Sequence, residues 1–300
     1  MSWVIKNPAP LDARMQKWGD YHFGRYLTKW LERMGHQVET DYYGQWRRKS
    51  KADVVLVLRG RHSWTGRGDA FRVLWIISHP GDVSPEECAS YDLVFTASRR
   101  HAGWLGARLD VPVVPLLQCV DTEDFKPQKE EEDGTRSDFV FVGNTRNERR
   151  ESVIAAVESG LDLKVWGRGW ERWIPGRFVM ADYFDNRKLP GLYAAAKATF
   201  NDHWPDMARW GFVNNRVFEA LACGLPVVSD HLDEIEELFP GAVLTYRDRK
   251  GFAACIERVF LEYPLVLKRV RDSIAGVREN HSFESRVGEL VGTVRKHCGS

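Results

Sequence analysis

The run GFVNNRVFEALACGLPVVSD, Gly211 to Asp230, holds the side chains whose types and spacing point most directly to chemistry. Arg216 and Glu219 stand three apart, so in a helix they share one face of the first turns. Asn214 and Asn215 before them suit a helix start, where backbone N–H groups lack intrahelical partners. Open amides, the helix dipole and an adjacent arginine together make an anion site. Glu219, one turn inside, is placed to accept hydrogen bonds from a ribose diol. The plainer alternative is a surface helix with an Arg216–Glu219 ion pair. A second candidate anion site is GNTRNERR, between a strand and a helix. Gly143 and Asn144 open it, and Arg146, Arg149 and Arg150 follow, where guanidinium groups either reach a phosphate or are merely solvated. Two such helix starts on one cleft would suit a diphosphate.

Further polar residues fall beyond the carboxyl ends of strands, where open parallel sheets bind ligands. His79, in the loop SHPGD, is one, with a packed ring as its alternative. Asp20 and His22 open the first long helix; either is a general-base candidate, and helix capping and ring packing are the competing readings. The segment Asp202 to Asp206 is another such loop. The basic loops Arg47 to Lys51 and Arg59 to Arg67 suit an anionic acceptor or simple solvation. No HExxH or HxxxH pattern and no dense Asp cluster marks a metal site. There is no GxSxG, no Walker A loop and no GxGxxG after the first strand, so a nicotinamide cofactor is not expected.

The elements that must position these residues alternate regularly. DVVLVL, FRVLWII and DFVFV are short, apolar and β-branched, as strands covered on both faces require. Between them run amphipathic stretches, the clearest from Asp20 to Met34 with Tyr21, Phe23, Tyr26, Leu27, Trp30 and Leu31 on one face. Strand–helix alternation predicts parallel α/β sheets with right-handed crossovers. KPQKEEEDGTRS, Lys126 to Ser137, has no apolar residue and reads as a linker, or as a long surface loop. The expected organisation is an N-terminal domain over 1–125, a linker over 126–137 and a second domain over 138–280. A C-terminal helix over 281–300 would be free to pack back on the first domain.

Composition sets the outer bounds. Three hundred residues suffice for two cores. A formal charge of +1 argues against a dedicated nucleic-acid binder. No run of 18 apolar residues exists and MSWVIKNPAP lacks a signal-type apolar core, so a cytoplasmic protein, with peripheral membrane contact left open, is expected. Five scattered cysteines without a CxxC pair fit reduced thiols. Some of the twelve tryptophans lie beside Gly, Arg or Asp, where they can line a sugar cleft.

The motifs carry a resemblance. FVGN at Phe141 to Asn144, GFVNNRVFEALACGLPVVSD, DEIEELF at Asp233 to Phe239 and HSFESR at His281 to Arg286 resemble the family 1/4-like glycosyltransferases, and within them the CgeB-like, spore-maturation-type branch. The likeness covers most of 138–290, while the first domain matches only in layout. It implies the GT-B fold, two facing Rossmann-like domains with parallel sheets and a C-terminal helical tail. The second domain would hold a nucleoside-diphosphate sugar and the first an acceptor of unknown kind, with no metal and no further cofactor. By resemblance, Glu219 holds the donor ribose, and the helix start Asn214 to Arg216 holds the diphosphate. Arg149 falls where the family has a phosphate-binding lysine, with Arg146 as a nearby alternative. His79 looks like the first-domain histidine that approaches the donor sugar, and Gly19 roughly matches a glycine of the acceptor loop. Gly211 stands where many members carry a sugar-contacting glutamate, and Asp206 is a candidate to replace it. A retaining reaction of this type needs no protein base; an inverting one would call on Asp20 or His22. A sugar-nucleotide epimerase, a non-catalytic nucleotide-sugar-binding subunit and a nucleic-acid-modifying transferase are the alternatives.

Overall fold

The computed structural model describes residues 1–49, 51–66, 68–128 and 136–298. Most of the expected linker, 129–135, and Ser50 and Arg67 of the two basic loops lie outside the described residues. In chain order the elements begin β1 (Ser2–Asn7), α1 (Gly19–Arg33), β2 (Gln37–Tyr42), β3 (Val54–Arg59), β4 (Phe71–Ile76), α2 (Pro85–Cys88), β5 (Leu93–Thr96), α3 (Arg99–Gly106) and β6 (Val113–Pro115). Then come β7 (Ser137–Val142), α4 (Glu151–Glu158), β8 (Leu163–Trp166), β9 (Val179–Ala181), α5 (Leu189–Ala194), β10 (Ala196–Asn201), α6 (Pro205–Trp210) and α7 (Asn215–Ala222). The chain ends with β11 (Val227–Asp230), α8 (Asp233–Leu238), β12 (Val243–Tyr246), α9 (Arg249–Leu261), α10 (Tyr263–Asn280) and α11 (Phe283–Cys298).

Two six-stranded sheets result, ordered β2-β1-β3-β4-β5-β6 and β12-β11-β10-β7-β8-β9, with parallel pairing throughout the described residues. The strand order reverses between β1 and β3 in one sheet and between β10 and β7 in the other. At such a switch point the flanking connections diverge to opposite faces and leave a crevice beyond the strand ends.

The chain divides into two compact units. Unit 1 comprises Met1–Cys119, Trp204–Val213 and His281–Ser300; unit 2 comprises Val120–His203 and Asn214–Asn280. This departs from a contiguous 138–280 domain, because Trp204–Val213 leaves unit 2 after β10 and returns at α7. The reason is burial. Met207 and Phe212 sit in the unit 1 core with Val57, Ile76 and Leu105, each apolar side chain of that size contributing about 1.5–3 kcal/mol when buried. Backbone bonds reinforce the seat: Ser98 Oγ donates to the Trp210 carbonyl, and Arg100 Nη1 to that of Arg209 at 3.1 Å. In α11, Phe283 packs on α1 against Phe23 and Tyr26, with ring centroids 4.9 and 5.5 Å away. The unit 2 core is built from strand residues such as Phe139, Phe141, Val165, Phe200 and Val228, closed by Trp170, Phe252 and Val259 from the connections. Among the described residues no helix is long and apolar enough to cross a membrane.

Candidate functional site

In unit 2 the switch-point crevice lies beyond Val142 and Asn201, and Arg216 of α7 reaches across it. Its Nη2 donates to the Val142 carbonyl at 2.6 Å, its Nη1 to Asn201 Oδ1 at 3.2 Å, and its guanidinium stacks 4.4 Å from the Phe141 ring centre. A guanidinium has five N–H donors, so three remain without a partner among the described residues. Gly143 is needed here, since a Cβ at that position would come 2.8 Å from Arg216 Nη2.

The start of α7 is open. Asn214 is its N-cap by backbone geometry, yet its side chain makes no capping bond, contrary to the capping role expected from its type. Its Nδ2 instead donates to the Asp202 carbonyl at 3.4 Å, leaving its Oδ1, and that of Asn215, buried without a partner. Glu219 makes no hydrogen bond or ion pair among the described residues, so the Arg216–Glu219 bridge does not form. Burial pushes its carboxyl pKa up to about 7, against the pull of Arg216. Tyr193 beside it is raised above the ordinary phenol value by burial first and Glu219 second.

The start of α4 differs. The helix begins at Glu151, so Arg150 is the N-cap residue and Arg149 lies outside. The buried Asp202 carboxylate already occupies this helix end, accepting from Ser152 N at 3.2 Å, Ser152 Oγ at 2.5 Å and Tyr246 Oη at 3.0 Å. Burial raises the Asp202 pKa, with the Ser152 hydrogen bond opposing. At the helix start that follows GNTRNERR, the chain's own carboxylate thus meets the Ser152 amide. Arg149 is exposed and paired with Glu151. Arg146 is exposed at a positive φ of 52°. Asn144 Oδ1 accepts from Arg168 N at 2.8 Å and so braces the loop. Arg150, of lesser interest in the sequence, is the buried member: its Nη1 donates to the Asp202 carbonyl at 3.2 Å. Burial lowers its pKa to about 10, Asp202 opposes, and nearby Arg216 and Arg146 add to the lowering. Arg146, Arg150 and Arg216 thus form one positive group.

Two residues at strand ends, one in the loop Asp202 to Asp206 and one closing the run Gly211 to Asp230, form a pair. His203 Nδ1 lies 2.7 Å from Asp230 Oδ1. Burial works against ionisation of Asp230, yet His203 holds its pKa below the ordinary carboxylate value. Both follow apolar strands, after Phe200 and Val228, which is the pattern that could have revealed them.

Unit 1 holds the remaining candidates. His79 adopts left-handed backbone angles, φ 52° and ψ 49°, before a short turn over Pro80–Asp82, a conformation a non-glycine residue rarely keeps. Its ring lies 6.4 Å from that of Trp204. Asp206 belongs to this loop: its Oδ2 accepts from Gly81 N at 3.2 Å and its Oδ1 from Met207 N at 2.9 Å. Asp206 belongs to unit 1, whereas the residues grouped with it from the sequence belong to unit 2. Gly211 closes α6 at φ 70°, where glycine carries no Cβ penalty. Asp20 sits at the unit 1 switch point, where a Cβ on Gly60 would meet Asp20 Oδ1 at 3.4 Å and Ser78 Oγ at 3.5 Å. His22 Nε2 lies 2.8 Å from the Gln16 carbonyl and its ring packs against Tyr21, so it braces the turn before α1.

These units share their architecture with solved glycosyltransferases. The chain aligns with sucrose-phosphate synthase from Thermosynechococcus elongatus at TM-score 0.73 and 11% identity, over 99% of this chain and 98% of that one. An alpha-glucosyltransferase in complex with UDP aligns at TM-score 0.67 and 10% identity, over 98% and 100%. The DNA modifying enzyme beta-glucosyltransferase, solved with and without the substrate uridine diphosphoglucose, aligns at TM-score 0.65 and 13% identity, over the whole of both chains. The fold is the GT-B fold. More particularly, residues 148–292 match the family described as glycosyl transferase-like. No curated protein sequence matches the chain.

Proposed function

We propose that the protein is a glycosyltransferase that moves a sugar from a nucleoside-diphosphate donor, held on unit 2, to an acceptor held on unit 1. The observation that carries this reading is the start of α7: uncapped amides, two unpartnered amide oxygens, Arg216 with spare donors and an unpaired, desolvated Glu219 at a sheet switch point. A diphosphate suits the first group and a ribose diol suits Glu219. UDP and uridine diphosphoglucose in the structural relatives support a nucleotide-sugar donor.

In this reading the sugar departs through an oxocarbenium-like transition state. Arg216 and the α7 dipole stabilise the charge growing on the leaving diphosphate, with Arg146 and Arg150 adding to the local field. Arginines meet that charge in place of a metal. We take the course to be retaining, the leaving phosphate receiving the acceptor proton; an inverting course would fall to Asp20. His79 is assigned to the approach to the donor sugar, and the motif around Glu219 supports the CgeB-like branch.

Thermal unfolding with UDP, GDP, dTDP and CDP tests the donor assignment. A ligand at about 100 times its Kd adds about 2.7 kcal/mol of apparent stability, so one nucleotide should stand out. A chain unmoved by all four at millimolar concentration would end this reading.

A further inference from the structure

We propose that the mouth of the unit 1 sheet binds an anionic sugar, one bearing a carboxylate or a phosphate, as the acceptor. This rests on the reading that unit 1 takes the acceptor. Strands β2 and β3 flank β1, and the segments that follow them, 43–49 and 60–66, lie at the carboxyl edge of the sheet. There the exposed Tyr43 ring stacks on His62 with centroids 3.9 Å apart and planes at 23°. Trp46 stands edge-on to both. The support beneath is preorganised. Trp46 Nε1 donates to the Asn7 carbonyl at 3.0 Å, Trp64 Nε1 to that of Trp46 at 3.1 Å, and the buried Lys6 ammonium to the same carbonyl at 3.2 Å.

Charge gives the platform its selectivity. Segments 43–49 and 60–66 contain Arg47, Arg48, Lys49 and Arg61 and no Asp or Glu. The neighbouring carboxylate, Asp41, is already shared between Lys6 at 2.7 Å and Arg48 at 3.3 Å. Arg47, Lys49 and Arg61 are exposed and have no acidic partner among the described residues. A flat ring offers a face to the apolar side of a pyranose, and a free guanidinium pairs bidentately with a carboxylate or phosphate. A nucleic-acid strand calls for a succession of stacking rings along a basic groove, whereas one ring faces outward here and the net charge is +1.

The test is calorimetric titration of the whole chain with trigalacturonate, glucose 6-phosphate, maltotriose and an oligothymidylate, with UDP titrated in parallel. One of the two anionic sugars should bind about tenfold tighter than maltotriose, and which of them wins identifies the anion. Combining Arg47→Ser with Arg61→Ser should weaken that binding about tenfold, and Tyr43→Ala about fivefold, with UDP affinity unchanged. These are surface side chains, and an unchanged melting profile checks that the variants fold. Equal affinity for maltotriose, no saccharide binding, or tightest binding of oligothymidylate with a steep salt dependence would each overturn the proposal. Failure of UDP to bind would count against the donor reading instead.

Discussion

The starts of α4 and α7 are two answers to the same problem. Each helix leaves backbone N–H groups unpaired at its first turn, and each lies close to arginines. At α4 the chain supplies its own anion, Asp202, buried and bonded to Ser152 and Tyr246. At α7 it supplies none, and the amide oxygens of Asn214 and Asn215 also lack partners. A basic helix start is therefore an anion site only where no carboxylate of the protein has taken the place. Arginine density does not make that distinction: Arg149 is solvated beside Glu151, while Arg216 is bound into the strand ends.

The sharpest way to break the contrast is to remove one arginine from each side. Arg216→Ala should lower kcat by about 10²–10³-fold, the usual loss of a group stabilising developing negative charge. Arg149→Ala should stay within about twofold, as for an exposed ion pair. Comparable losses in steady-state assays would mean that both helix starts hold the donor. Asn214→Asp would make α7 resemble α4, placing a carboxylate at an open helix start. It should weaken nucleotide affinity about tenfold by repulsion, and it removes the Nδ2 donor that the Asp202 carbonyl now has. Unchanged affinity in a binding titration would show that the diphosphate lies elsewhere.

Asp202→Ala probes the closed side. It strips partners from Ser152 and Tyr246 and should cost about 1–3 kcal/mol, read as a lower melting temperature. Glu219 gives a pH signature. Its folded pKa of about 7 lies above the ordinary 4.5, so the folded state holds the extra proton. The stability linked to it is complete below about pH 4.5 and is lost as pH rises through about 7. Glu219→Gln should therefore raise the melting temperature of the free protein at pH 8 more than at pH 5. If the ionised carboxylate receives the ribose hydroxyls, nucleotide affinity of the native chain should rise through the same interval. A flat pH profile would remove that role.

Much of the architecture was legible because parallel strands buried on both faces must be nearly all apolar, as in DVVLVL and DFVFV. The amphipathic stripe of α1 was equally plain, with Phe23, Leu27, Trp30 and Leu31 buried as spaced. What escaped the sequence depends on phase and distance. Whether Arg149 or Arg150 turns inward follows from the helix starting at Glu151, a phase that composition does not fix. The six-residue α6 is announced only by Pro205 at one end and Gly211 at the other, and nothing local says that Met207 and Phe212 belong to the core of unit 1. The motif around Arg216 and Glu219 was visible, but not its open cap. Capping capacity can be read from residue type; its use depends on what Asn214 finds at the Asp202 carbonyl.

Because Trp204–Val213 is seated in unit 1, the chain passes between units four times, at 119/120, 203/204, 213/214 and 280/281. This bears on chimera building. A segment cut as one piece from Val120 to Asn280 would carry Met207 and Phe212 with their burial site gone, an exposed apolar patch that invites aggregation. A graft that exchanges unit 2 between relatives should leave α6 with its original unit 1 host, joined through designed seams at His203 and Asn214.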